Sequence, residues 1–227
     1  MILNHQCSYC GALYQEEGIP NESDKCIGCR FPEFQGFRKI PRLSRDIIIT
    51  EKIDGTNGVI YISETGKIFA GSKDRWLWGE YQPEIHNDNH GFARWVKENK
   101  EELKKLGSGF HFGEWWGSGI NRGYGLVKGE KRFSLFNSGR WVDKRIMPDL
   151  KEEDKREHCP GCCYVVPILY TGIFDTHMCG ALIDKLYFNG SVAVPGFMKP
   201  EGIIIYHTAG NLYFKKTIEN DEKYKGK

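Results

Sequence analysis

An α+β fold, with a small zinc-binding module ahead of it, is the architecture this sequence predicts, and three features predict it. Short β-branched and aromatic runs recur between Gly-, Asn- and Pro-bearing turns, the spacing of antiparallel hairpins. Two segments, 92–106 and 175–190, instead carry apolar residues at helical spacing. Four cysteines fall as two C-x-x-C pairs before the first core strand. The expected division is a four-cysteine zinc module over 1–34 and the α+β domain over 35–227.

Composition sets the outer bounds. A chain of 227 residues that is 40% hydrophobic and 27% charged is long enough for one well-packed core with a small appendage. A formal charge of +2 is too small to imply a polyanionic partner, so nucleic-acid binding must come from local clustering. The N-terminus carries no secretion-like apolar segment, and no run is long enough to span a bilayer. The protein is therefore expected to be cytoplasmic, away from membranes, with its thiols reduced.

Reduced thiols need a use other than disulfides. Cys7, Cys10, Cys26 and Cys29 form two pairs with fifteen residues between them, and Gly11 and Gly28 let the backbone fold around each pair. Four thiolates at this spacing suit a tetrahedral structural Zn2+, whose closed shell leaves no position for catalysis. The intervening segment is too poor in apolar residues to fold without the metal. Cys159, Cys162, Cys163 and Cys179 have no such pairing and read as packed or unligated thiols.

After the connector over 31–45, the run Ile47-Ile48-Ile49 predicts a strand, and Val59-Ile60-Tyr61-Ile62 a second. Between them lies Glu51-Lys52-Ile53-Asp54-Gly55-Thr56-Asn57-Gly58, a turn or kink with a lysine at its edge. That lysine is either a solvated hairpin residue or a nucleophile. A nucleophile needs burial or cationic neighbours, because an ordinary ammonium with a pKa of about 10.4 is almost wholly protonated at neutral pH. A hairpin turn at 63–67 returns the chain through Ile68-Phe69-Ala70 toward Lys73 and Arg75, which either meet a phosphate or remain in a charged, solvated turn.

Asn87, Asp88 and Asn89 then offer caps for a helix burying Phe92, Val96, Leu103 and Leu106, with Trp95 on the same side. In Phe110-His111-Phe112-Gly113-Glu114-Trp115-Trp116, Glu114 stands at a strand end before a flexible Gly-rich loop, where a carboxylate can accept ribose hydroxyls. Alternation places Phe133 and Phe136 on opposite faces, one ring for the core and one for a ligand. A strand begins near Pro167, and Asp175 caps a helix that runs to Gly190. Lys199-Pro200-Glu201-Gly202 leads into Ile203-Ile204-Ile205-Tyr206, and a last strand carries Lys215 and Lys216 on opposite faces.

Five of these segments occur together in a telling order: EKIDGTN (51–57), GEWWGSGI (113–120), FSLFN (133–137), PEGIII (200–205) and FKK (214–216). Over residues 45–218 the chain resembles the covalent nucleotidyltransferases, and among them the ATP-dependent RNA ligases of the nick-sealing kind. The resemblance implies an antiparallel-sheet, ATP-grasp-like adenylation domain that uses ATP and Mg2+ or Mn2+. It implies Lys52 as the nucleophile that forms a lysyl-AMP, with Glu51 and Asn57 bordering the adenosine pocket. Glu114 would hold the ribose and Phe136 would stack on adenine. Glu201 would bind the divalent metal, and Lys215 and Lys216 would neutralise the α-phosphate. The family's Lys-x-Lys spacing is compressed here to adjacent lysines. Lys73 and Arg75 are the basic contact after the second strand.

The partner implied is RNA, or a nicked duplex with RNA on the 3′-hydroxyl side, met by a monomer. The zinc module is expected to grip nucleic acid in place of a C-terminal domain. A minimal DNA ligase or a capping-type nucleotidyltransferase shares the lysine chemistry. A non-catalytic, zinc-containing nucleic-acid-binding protein is the alternative of another class.

Overall fold

A computed structural model describes residues 2–7, 10–17, 35–37, 39–81, 84–88 and 90–222. They fall in two compact units, Met1–Ile40 and Pro41–Lys227. In the first, β1 (Ile2–Gln6) pairs antiparallel with β2 (Leu13–Glu17). The connection turns at Gly11, which has φ 72° and donates its N–H to the Cys7 carbonyl. Cys7 is buried and Cys10 exposed, whereas Cys26 and Cys29 lie outside the described residues. Among the described residues, no group of three or more His, Cys, Asp and Glu is placed to hold a metal ion.

The second unit is built on two sheets. One has the order β12 (Ile168–Ile173), β3 (Asp46–Lys52), β13 (Gly202–His207), β14 (Leu212–Thr217), all antiparallel. The other runs β11 (Tyr164–Val165), β8 (Lys131–Leu135), β7 (Gly109–Gly117), β4 (Thr56–Ile62), β5 (Ile68–Gly71), β6 (Trp76–Gly79). Its pairs are antiparallel except β11 with β8. A two-residue parallel pair joins β9 (Trp141–Val142) and β10 (Glu157–His158). Strands β3 and β4, neighbours in sequence, thus belong to different sheets. Residues 53–55 carry the chain from one sheet to the other instead of closing a hairpin.

The helical segment after Gly91 forms in pieces: α1 (Phe92–Glu98), α2 (Lys100–Leu103) and a 3-10 turn, Lys104–Leu106. Asn99 interrupts it with φ −104° and ψ 14°, away from helical values, while its side-chain amide donates to the Trp95 carbonyl at 2.8 Å. The expected capping by Asp88 comes from outside the helix, where its carboxylate accepts the Arg94 N–H at 3.0 Å. The later helix, α3 (Thr176–Asn189), forms as expected. Asp175 accepts the His177 N–H at 2.8 Å, and Gly190 closes the helix at φ 81°.

Each sheet buries one face under helix. Phe92, Val96, Leu103 and Leu106 meet Ile60, Ile68, Trp115 and Phe133 beneath the six-stranded sheet. Leu182 and Leu186 of α3 meet Ile47, Ile49, Ile203 and Ile205 on the four-stranded one. Gly58 is required in the first core, because a Cβ there would lie 2.7 Å from the Phe92 ring and 2.9 Å from Phe133. Cys159 and Cys163 are buried in that core and Cys179 in the second, consistent with packed thiols. Burial pushes the Cys159 thiol up to about 12. Among the described residues no helix is long and apolar enough to cross a membrane.

Candidate active site

The pleat of β3 sorts its side chains. Ile47, Ile49 and Glu51 face α3, and Ile48, Thr50 and Lys52 face the other way. At the strand end the Lys52 ammonium lies 2.6 Å from a Glu201 carboxylate oxygen, with the two side chains 22% and 18% exposed. This is a half-buried pair, distinct from the solvated hairpin lysine the sequence also allowed. Glu201 arrives from the residue before β13, brought beside Lys52 by the pairing of Gly202 with Lys52.

The same register separates the two C-terminal lysines. Ile204 pairs with Thr50 on one side and Lys215 on the other, so Lys215 shares the Lys52 face. Ile203 pairs with Glu51 and Lys216, which puts Lys216 on the α3 face, where its ammonium lies 3.3 Å from Asp221. Lys216 is therefore not directed at Lys52.

Glu51, expected at the edge of a nucleotide pocket, also turns away from Lys52. Its buried carboxylate accepts the Ser191 hydroxyl at 2.6 Å and the N–H groups of Val192 and Ala193 at 2.8 and 2.9 Å. Burial raises its pKa against these three hydrogen bonds, which favour the ionised form. The side chain holds the segment after α3 against β3, and only the Glu51 backbone adjoins the lysine.

The connector at 53–55 is held on every side. The Gly55 N–H donates to Glu114 at 3.0 Å, and the Gly55 carbonyl accepts the Asn121 amide at 2.6 Å. Asp54 accepts Asn121 and Arg122 through its carboxylate at 2.9 and 3.1 Å, and its N–H donates to the Tyr124 hydroxyl at 3.0 Å. A Cβ on Gly55 would lie 2.5 Å from the Trp115 carbonyl oxygen, so only glycine fits. The Gly-rich segment read as a flexible loop is thus a fixed brace. Tyr124 is fully buried at φ 52°, a backbone conformation that costs energy for a side chain of this size. Asn121, Arg122, Tyr124 and Ser191 escaped sequence reading, because nothing local says which backbone groups they will meet.

Facing Lys52 from the other sheet is Glu114. Burial pushes its carboxyl up to about 7, Lys52 and the Gly55 N–H oppose the rise, and the Glu201 and Asp54 carboxylates add to it. Asn57 is paired directly with Glu114 across β4 and β7, and Ser134 flanks Glu114 on β8. Phe136 follows β8 on this same face, 40% exposed, while Phe133 is buried in the core as alternation predicted. Lys73 and Arg75, exposed between β5 and β6, line a cavity of about 280 Å³ with Asn57, Asp88 and His90. The pairing of Val59 with Gly71 sets Lys73 level with Asn57.

Fold and site together define a two-sheet α+β protein in which a strand-end lysine is paired with Glu201 of its own sheet and faces Glu114 of the other, with Asp54 in the connector between them. The chain belongs to the RNA ligase family, whose family model matches residues 45–221. Among solved structures it is similar to a Naegleria gruberi RNA ligase variant with ATP and Mn, at 18% identity, 83% of this chain, 57% of that chain and a TM-score of 0.47. A second variant of that ligase, with AMP and Mn, matches at 19% identity, 82% of this chain, 56% of that chain and a TM-score of 0.48. An archaeal ATP-dependent RNA ligase matches at 16% identity, 81% of this chain, 48% of that chain and a TM-score of 0.46. The chain thus spans about half the length of these solved ligases. No curated protein sequence matches it.

Proposed function

We propose that the chain is an ATP-dependent RNA ligase that joins 5′-phosphate and 3′-hydroxyl ends through a lysyl-AMP. The observation that carries this reading is the Lys52–Glu201 pair at 2.6 Å, with Glu114 opposite, inside a chain of the RNA ligase family. The Lys52 amine attacks the α-phosphorus of ATP, a P–N bond forms, and pyrophosphate leaves. The AMP then passes to a 5′-phosphate, and a 3′-hydroxyl displaces it to close the strand. Phosphoryl transfer of this kind depends on positioning and on positive charge near the phosphate oxygens. Lys215 supplies that charge from the Lys52 face, and Lys73 and Arg75 supply it at the edge of the cavity. Lys216 acts on the far face as support for the strand.

Glu114 accepts the ribose hydroxyls, Phe136 stacks on adenine, Asn57 borders the pocket, and Glu51 positions the strand that carries Lys52. The residues present also fit a divalent cation. Burial pushes the Glu114 carboxyl up to about 7, the Glu201 and Asp54 carboxylates add to the rise, and a cation beside Glu201 would relieve that added like charge. One protein carboxylate with water and phosphate oxygens is the ligand set Mg2+ prefers. When bound, the cation offsets charge on the phosphates.

The substrate is RNA, with a nick in a duplex as the favoured junction, and the zinc module over 1–34 contributes to its grip. Support for zinc comes from the placement of Cys7 and Cys10 about the β1–β2 turn and from the spacing of Cys26 and Cys29. The enzyme acts as a cytoplasmic monomer. Incubation with labelled ATP or GTP and Mg2+, followed by a denaturing gel, tests the central claim. Label from ATP that is lost in Lys52→Ala is the expected result. Label from GTP alone points to a capping enzyme, and label from neither favours a non-catalytic nucleic-acid-binding protein. Metal analysis of the purified chain is expected to find one zinc, reduced in a Cys7→Ala, Cys10→Ala variant.

A further inference from the structure

The face of the six-stranded sheet that bears Asn57 and Glu114 does not end at the nucleotide site. Going along β4 from Asn57 the same face carries Val59 and Tyr61, and along β7 from Glu114 it carries Phe112 and Phe110. Tyr61 lies 4.6 Å from Phe110 between ring centroids, and Phe110 is stacked on Phe112 at 5.9 Å with 9° between planes. Trp76 continues the row at 6.4 Å from Phe110, and Phe69 joins Trp76 at 5.9 Å and Tyr81 at 5.8 Å. Four of these rings are more than half exposed: Trp76 51%, Tyr81 70%, Phe110 57% and Phe112 53%. Six neighbouring aromatic residues on this sheet face form a platform that no helix among the described residues covers, in contrast to the opposite face packed under α1.

We infer that this platform binds unpaired bases of the RNA strand that enters the site, so that the substrate includes a single-stranded segment beside its reacting end. The inference rests on the ligase reading above but changes its junction, from a fully paired nick to an end that carries unpaired nucleotides. Three observations select RNA bases over a protein partner. The exposed large residues of the row are all rings, and such rings offer flat faces on which bases stack whatever their sequence. The row begins two residues along β7 from Glu114, which makes it continuous with the place where the nucleotide is bound. A cation stands at one end of the row, with the Lys67 ammonium 5.6 Å from the Tyr81 ring, and Lys73 and Arg75 lie with Asp74 in the turn just before Trp76, so a phosphate backbone running over the rings meets positive charge. A fully paired duplex hides its base faces in its own stack, so only unpaired nucleotides gain from such a surface.

Trp76 provides a direct readout, because four of the six tryptophans, Trp78, Trp115, Trp116 and Trp141, are buried and Trp95 is only partly exposed. An unphosphorylated single-stranded oligoribonucleotide is expected to quench the emission of the full chain, and a blunt duplex of the same length to quench it far less. Trp76→Leu and Phe110→Leu keep apolar bulk but remove a ring. Each is expected to weaken single-strand binding on the order of ten-fold, with the salt dependence of binding unchanged. Equal binding of strand and duplex, or undiminished binding by both variants, would overturn the inference. So would a parent that sediments as a dimer and variants that sediment as monomers, since the face would then be a protein interface. Label transfer from ATP in the same variants keeps the two readings apart: label with unchanged RNA binding sinks only the platform, and no label in the parent sinks the ligase. If the variants fold poorly, quenching of the unaltered protein by strand but not duplex still decides.

Discussion

Burial and like charge act together on Glu114, and the consequence is a measurable pH dependence. Its carboxyl, raised from 4.5 to about 7, keeps in the folded chain a proton that the unfolded chain releases near 4.5. Stability therefore falls as pH rises from about 4.5 to 7 and is level above that, by at most on the order of 3 kcal/mol. Glu114→Gln keeps an acceptor for the Gly55 N–H and removes the titration. In metal-free buffer the variant is expected to gain on the parent between pH 5 and 8; a gap independent of pH would contradict the assignment. At Lys215 and Lys216 the register makes a similarly sharp statement. Lys215→Ala is expected to lower the yield of labelled lysyl-AMP by at least ten-fold, and Lys216→Ala by much less. The reverse order would mean that β14 is displaced by a residue when ATP binds.

Among the elements, the connector at 53–55 and its brace matter most. Gly55→Ala drives a Cβ into the Trp115 carbonyl and the Trp116 side chain. The expected cost is about 1–3 kcal/mol, read from chemical denaturation, with self-adenylation reduced because Lys52 moves with the connector. Tyr124→Phe removes the hydroxyl that accepts the Asp54 N–H and leaves that donor unpartnered. A loss of about 1–2 kcal/mol is expected, together with a lower rate of lysyl-AMP formation at unchanged ATP affinity. A change in affinity alone would place Tyr124 at the ligand instead. Asp175→Ala at the start of α3 serves as a control far from the connector, with an expected cost of about 1 kcal/mol and intact self-adenylation.

For the whole molecule, the prediction concerns the division into two units. Removal of residues 1–30 is expected to weaken strand sealing while sparing self-adenylation, because all the residues assigned to lysyl-AMP formation lie in the unit Pro41–Lys227. Equal loss of both activities would make the first unit a structural necessity instead. The two sheets explain how the larger unit makes its site. The chain passes between them at 53–55 and again between β11 and β12, where the Val166 N–H donates to Leu135 and the Glu51 N–H to Pro167. Groups from both sheets are thereby held within reach of one lysine.

Much of this was legible in the residues themselves. Alternation and short apolar runs marked β3, β4, β13 and β14, and the Asp175 and Gly190 signals bounded α3, since each rests on contacts within a few residues; Lys52 was singled out by the family resemblance of the EKIDGTN segment. What local pattern cannot contain is the partner of each element. Periodicity says that Lys215 and Lys216 face opposite ways, but only the pairing of β13 with both β3 and β14 says which of them faces Lys52. In the same way the glycines after Trp116 read as looseness until Asn121, Arg122 and Tyr124 were seen to meet the connector. The sequence alone determined the strand-end lysine and the kinds of group around it. Tertiary structure decided that Glu51 faces away, that Glu201 lies at 2.6 Å, and that aromatic rings extend the nucleotide face, because strand register between distant segments is settled by the packing of whole sheets.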